Sequence, residues 1–183
     1  MPELQTTDIE GVHVLPLSAH PDSRGSFTEV YRHEWVPGAR PMPQANLSLS
    51  YANVLRGLHF HREQADYWCI FTGRAFVGLY DLRVGSPTEG RKAEIRMDAE
   101  AGRSGLYIPK GVAHGFYAET DIQLQYLVDQ YYSGADEFGV AWDDPGLGLD
   151  WPGADPILSD RDRSNPPLAE VLKDAPPYEA QSR

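Results

Sequence analysis

Between Arg56 and Gly73 the chain reads RGLHFHREQADYWCIFTG, gathering an arginine, two histidines and an acid beside an apolar run. Imidazole titrates near neutral pH, so a histidine in such a place has two chemical uses. Its lone pair can hold a divalent ion, or it can take a proton from carbon. His59 and His61 stand at alternate positions, which puts both rings on one face of an extended backbone. Asp66 follows five residues after His61, and His114 closes the distant run Pro109-Lys110-Gly111-Val112-Ala113-His114. Three imidazoles and a carboxylate suit a borderline divalent ion such as Fe, Mn, Ni or Zn. Structural or base histidines with no metal fit the same spacing, and both readings stay open at this point.

Short strands must position these residues. Glycine (17) and proline (15) are scattered through the chain, with aromatic and β-branched residues in short runs between them. That punctuation predicts an all-β sandwich or barrel. Strands are expected at Val12–Pro16, Ser26–Tyr31, Gln44–Tyr51, Ala65–Phe71, Arg74–Leu82, Ala93–Met97, Ser104–Ile108, His114–Ala118, Ile122–Asp129 and Gly139–Ala141. The run Ala75 to Tyr80 is nearly continuously apolar, as for a central strand covered on both faces. Helical turns are expected only at Glu34–Val36 and Pro167–Lys173, and the tail after Asp174 reads as frayed. One domain spanning residues 1–183, with its core at about 8–170, accounts for the pattern.

Bulk properties narrow the class of function. The net charge of -11 repels polyphosphate and argues against a nucleic-acid surface. It leaves room for one phosphorylated small molecule held by a few arginines, since a bidentate fork acts at short range. No apolar run approaches the roughly 20 residues of a membrane helix. The N-terminus lacks a basic region followed by an apolar core, and the single Cys69, between Trp68 and Ile70, reads as a buried packing thiol. A cytoplasmic protein is expected.

The HxH pair, nearby acid and distant PxGxxH histidine resemble the ligand pattern of the cupin double-stranded β-helix, a jelly-roll barrel. Seven ordered blocks extend the likeness: DSRGSFTE from Asp22, QANLS from Gln44, VLRGLHF from Val54, DLR with GSPT from Asp81, IPKGVAHGF from Ile108, WDDP with WP from Trp142, and LSDRD from Leu158. Together they resemble the dTDP-4-dehydrorhamnose 3,5-epimerase family. The resemblance implies a nucleotide-linked 4-keto-6-deoxyhexose substrate, epimerised at C3, C5 or both through an enolate. It implies His59 as base with Asp162 orienting it, Tyr126 as acid, and His114 near the reacting sugar. Arg24, Phe27, Glu29, Gln44, Asn46, Arg56 and Tyr132 fall at positions that hold the diphosphate and nucleoside. It further implies no cofactor, and a homodimer in which N-terminal strands exchange and Phe27 reaches the partner's nucleotide.

Two positions depart from the family pattern. His61 stands where glutamine is usual, and Asp66 where a lysine is usual. A cation beside a developing enolate lowers the barrier, whereas a bare carboxylate raises it. Both changes move the pocket towards a metal set of His59, His61, Asp66 and His114, in which one divalent ion could polarise the ketone. A ligated His59 could not also serve as the base. Two alternatives therefore accompany the epimerase: a metal-dependent cupin isomerase or dioxygenase on another small substrate, and a non-catalytic sugar-nucleotide-binding homologue. A further option pairs Asp66 with His61 and involves no metal.

Overall fold

The computed structural model describes residues 2–180. Its strands, in order, are β1 (Gln5–Thr6), β2 (His13–Pro16), β3 (Ala19–Asp22), β4 (Gly25–Thr28), β5 (Gln44–Ser50), β6 (Leu55–Phe60), β7 (Asp66–Thr72), β8 (Arg74–Asp81), β9 (Lys92–Asp98), β10 (Ser104–Ile108), β11 (Val112–Ala118), β12 (Ile122–Val128) and β13 (Phe138–Gly139). A six-stranded sheet runs β1-β2-β10-β7-β12-β5, and a five-stranded sheet runs β13-β6-β11-β8-β9, all neighbours antiparallel. The β3–β4 hairpin stands apart from both. The expected all-β jelly-roll barrel is the fold found.

Strand periodicity explains how the layers pack. Trp68 and Ile70 from β7 meet Val77 and Leu79 from β8, Leu106 from β10, Phe116 from β11 and Leu124 from β12 in a core between the sheets. The alternate residues face outwards, yet they too are covered. Leu58, Phe60, Tyr80 and Leu82 lie under Leu147, Leu168 and Val171 of the C-terminal segment. Tyr67, Tyr107 and Leu15 lie under Trp35 and Val36 of the N-terminal loop. Cover on both faces is why β8 reads as an unbroken apolar run rather than an alternating one.

Several elements differ from the sequence expectation, among them the short strands β1 and β3, which stand where none was expected. Strand β6 carries Arg56, Gly57 and His59, residues that weaken a propensity reading, and only its pairing with β11 and β13 makes it a strand. The helix α1 (Asp160–Arg163) is also unforeseen; Ser159 caps it by accepting a hydrogen bond from the Asp162 amide at 3.1 Å. The expected turn near Pro167 is present as α2 (Leu168–Val171) with a following 3₁₀ turn. The tail is not frayed where it is described: Val84 pairs with Pro176 and Tyr178, and the Tyr178 ring lies 5.2 Å from the Arg83 guanidinium. These contacts anchor it. The remainder of the expected frayed stretch, residues 181–183, lies outside the described residues.

The connection after β8 is held by a buried charge network. Asp81 is fully buried and accepts two hydrogen bonds from the Arg83 guanidinium, at 2.7 and 2.8 Å, with further bonds from Ser86 and Thr88 at 2.7 Å each. Burial alone would raise the Asp81 carboxyl pKa, but the bonds from Arg83, Ser86 and Thr88 outweigh it and leave it below the usual value. Asp81→Ala strands Arg83 as an uncompensated buried charge and should cost about 3–5 kcal/mol in urea denaturation. The depressed pKa fixes the sign of the pH dependence. The contribution of Asp81 is present above the ordinary carboxylate range and is lost as pH falls through its lower folded-state value. The acid limb of the stability curve should therefore flatten in the variant.

Candidate active site

A cavity of about 280 Å³ opens between the two sheets. Arg56 and His59 of β6 and His114 and Phe116 of β11 line one wall; Asp66, Trp68, Leu124, Tyr126 and Ser48, from β7, β12 and β5, line the other. His61, just beyond β6, completes the inner end, while Tyr132, Glu137 and Arg161 also contribute from outside the strands. The pattern that puts Leu58 and Phe60 outwards turns His59 inwards, and His61 follows on the same side.

His59 Nε2 lies 2.6 Å from Asp162 Oδ1. A carboxylate can only accept, so Nε2 carries the proton and Nδ1 keeps the lone pair. Asp162 is 4% exposed. Burial raises its pKa, but hydrogen bonds from His59, Ser159 and the Gly57 amide, with the charge of His59, bring it below the usual range. Gly57 has a φ of 130°, and a Cβ there would come within 2.6 Å of Gly115 Cα. That close passage of β6 over β11 sets His59 directly opposite His114 in the ladder. Tyr126 faces them from the other sheet. Burial, then the charges of Asp66 and Glu137, raise its pKa against a smaller opposing effect of Arg56, so the phenol keeps its proton at neutral pH.

His61, Asp66 and His114 are all buried, and one potential donor atom from each lies within 4.8 Å of the others. His59 is not part of this group, and its Nε2 bonds to Asp162 instead. The four-residue metal set expected from spacing is thus corrected to three. The proposed Asp66–His61 pairing is absent as well. Asp66 accepts from Gln64 at 2.8 Å and Trp68 at 3.0 Å, while His61 Nδ1–H donates to the Asp136 carbonyl at 2.7 Å. His114 Nδ1–H donates to the Val112 carbonyl at 2.9 Å. Burial, helped by His61 and His59, holds the His114 pKa well below its ordinary value despite the opposing charge of Asp66 and the bond to Val112.

The expected binding residues divide into three groups. Arg56 and Tyr132 line the cavity, with the Arg56 guanidinium donating to Ser50 Oγ at 2.9 Å. Gln44 and Asn46 sit beside it on the inward face of β5, bonded to each other at 3.0 Å, and Asn46 pairs in register with Tyr126. Arg24, Phe27 and Glu29 do not reach it. Arg24 pairs with Asp22 in the exposed β3–β4 hairpin, Glu29 pairs with Arg32, and Phe27 is 64% exposed. Sequence reasoning missed Ser48, Trp68, Phe116 and Leu124, each two residues from an identified position on the same strand face. It also missed Glu137 and Arg161, which bond to each other at 2.8 Å. Arg161 stands inside the LSDRD block, next to the residue that was singled out.

A part-buried imidazole bonded to a buried carboxylate, facing a protonated phenol across a jelly-roll cavity, is an arrangement suited to general acid–base chemistry in a cupin fold. Comparison with known proteins narrows this. The family model described as dTDP-4-dehydrorhamnose 3,5-epimerase matches residues 6–170. A dTDP-4-dehydrorhamnose 3-epimerase from Streptomyces niveus is 40% identical over 176 residues, covering 92% of this chain and 84% of its own. The structure of NovW, a 4-keto-6-deoxy sugar epimerase from Streptomyces spheroides, superposes with a TM-score of 0.89 at 37% identity, covering 97% of this chain and 94% of that one. RmlC from Legionella pneumophila, solved with dTDP-4-keto-L-rhamnose, gives 0.91 at 31% identity over 98% and 100%. The chain belongs to the dTDP-4-dehydrorhamnose 3,5-epimerase family.

The His59–Asp162 bond can be tested directly. Removing the imidazole in His59→Ala leaves Asp162 with its burial penalty and fewer compensating bonds, so its pKa should rise. A ¹³C NMR titration of the carboxyl carbon reads that shift. An unchanged value would mean that the two residues do not interact in solution.

Proposed function

We propose that this protein is an epimerase of a nucleotide-linked 4-keto-6-deoxyhexose, of the dTDP-4-dehydro-6-deoxyglucose type. The observation that carries the reading is the 2.6 Å His59–Asp162 pair on one sheet wall with Tyr126 on the other. Protons at C3 and C5 are acidic because the electrons left behind delocalise into the C4 ketone. His59 Nδ1 takes the proton from one face, and Asp162 stabilises the imidazolium that forms. The enolate then collapses with delivery of the Tyr126 proton to the opposite face, inverting the carbon. Solvent resets both groups. No electrons are gained or lost overall.

His114 contacts the reacting sugar, and Arg56 holds the diphosphate with its planar fork. Gln44, Asn46 and Tyr132 extend the binding surface towards the nucleoside. The described residues include no helix long and apolar enough to cross a membrane. We further propose that the enzyme is cytoplasmic and folds as a single domain.

A homodimer completes this reading. Strand β5 ends the six-stranded sheet, and its outward residues are apolar: Leu47 and Leu49 are each 63% exposed. A second copy covering this strip would bring its β3–β4 hairpin, with Arg24, Phe27 and Glu29, to the neighbouring cavity. Leu47→Asp/Leu49→Asp should convert a dimer into monomer in sedimentation velocity, and a wild-type protein that sediments as a monomer would contradict the assembly.

The activity has a direct measurement. In D₂O, dTDP-4-keto-6-deoxyglucose should gain deuterium at C3, C5 or both, and the pattern identifies a mono- or a double epimerase. His59→Ala should abolish exchange. Tyr126→Phe should slow inversion by about 10²–10⁴-fold, the usual worth of a positioned acid. Absence of exchange at both C3 and C5 in the wild type would rule the reading out.

A further inference from the structure

We propose that His61, Asp66 and His114 form a three-ligand site for a divalent first-row transition ion inside the cavity. Asp66 is 4% exposed, and its hydrogen-bond donors are the neutral amide of Gln64 and the neutral indole of Trp68. Among the described residues its ion-pair neighbour is His114, whose Nε2 stands 3.9 Å from Oδ2, beyond hydrogen-bond reach. A buried carboxylate is costly unless a cation pairs with it or it ligates a metal. Neither of its donors supplies that charge.

The histidines supply the second part. His61 and His114 both spend Nδ1–H on backbone carbonyls, of Asp136 and Val112 respectively. A carbonyl accepts only, so in the tautomer that these bonds select, the Nε2 of each ring is the nitrogen open to a ligand. This arrangement orients imidazoles for a metal, because the second ring nitrogen is fixed by an acceptor. Gln64 and Trp68 orient the carboxylate in the same way. Each of its oxygens accepts one such bond and retains capacity for another.

Distances support the fit. Atoms no more than 4.8 Å apart lie within about 2.8 Å of a common point, and metal–ligand bonds are about 2.0–2.2 Å. Closing the group around an ion asks each side chain to move by less than about 1 Å. Two imidazoles and one carboxylate that leave coordination positions open suit Fe(II), Co(II), Mn(II) or Zn(II). His59 stays outside the group, so base and metal coexist in one cavity. An open position would take the ketone oxygen, supplying the positive charge that Asp66 itself cannot give to an enolate. That use of the ion rests on the epimerase reading, whereas its binding does not.

Co(II) is the probe, because its visible absorption reports coordination number and ligand type. Chelator-stripped wild-type protein titrated with Co(II) should develop one equivalent of an intense band of low coordination number. His61→Ala and Asp66→Asn should each weaken binding by more than about 100-fold, beyond the effect of losing a residue that only orients a ligand. His59→Ala should bind as the wild type does. Circular dichroism checks that each variant is folded, and if one is not, the wild-type titration alone decides. A wild-type spectrum that stays that of the hydrated ion would overturn the proposal, as would equal loss of binding in His59→Ala. The two readings fail separately. Protein that binds Co(II) but exchanges no deuterium keeps the site and loses the epimerase. Protein that exchanges deuterium without binding Co(II) does the reverse.

Discussion

The bond between His59 and Asp162 joins residues 103 positions apart, and much of the architecture serves to make it. His59 must point inwards, which requires β6 to be a strand with Leu58 and Phe60 packed on its outer face. Asp162 must arrive from the C-terminal segment, which requires Leu147, Leu168 and Val171 to fold over that outer face. The same apolar cluster therefore aims the imidazole and delivers its carboxylate. Gly57 belongs to this arrangement too, since its missing side chain lets β6 lie close to β11. A larger residue there would push the base away from its partner and from His114 together.

Asp66 shows how one residue type changes a pocket. A lysine at that place would bring positive charge to an enolate. A carboxylate brings the opposite, and an amide and an indole are directed at its two oxygens. Its neighbours His61 and His114 face it with lone pairs rather than protons. The inner end of the cavity thus behaves as a cluster of electron-pair donors, while the outer end, with Arg56, Arg161 and Tyr132, offers groups for an anionic, partly aromatic ligand.

Strands β5 and β12 were legible in the sequence through alternation, and β7, β8 and β10 as apolar runs bounded by glycine and proline. Strand β6 was not, since an arginine, a glycine and a histidine in six residues obscure the pattern that its partners enforce. The candidate site was legible where motif and chemistry coincide: His59, His114 and Tyr126 do meet at one cavity, with Asp162 bonded to His59. It was less so where a role depends on neighbours. Spacing alone put His59 with the metal-ligand set, and only its partner on α1 removes it. Arg24, Phe27 and Glu29 share a recognisable block, yet one chain leaves them on an outlying hairpin. Glu137 and Arg161 were hidden because their significance is mutual: each is an ordinary surface charge until the fold brings them to the cavity.

Helix α1 has only four residues, far too few to persist on local propensity. Its order is borrowed from the Ser159 cap and from the bond that Asp162 makes with His59. The barrel beneath it rests on eleven paired strands in two covered sheets. Warming should therefore release this single turn well before the barrel melts, by a local opening that leaves the rest folded. A protein that still looks intact by its bulk spectrum would then already have lost the carboxylate that orients His59.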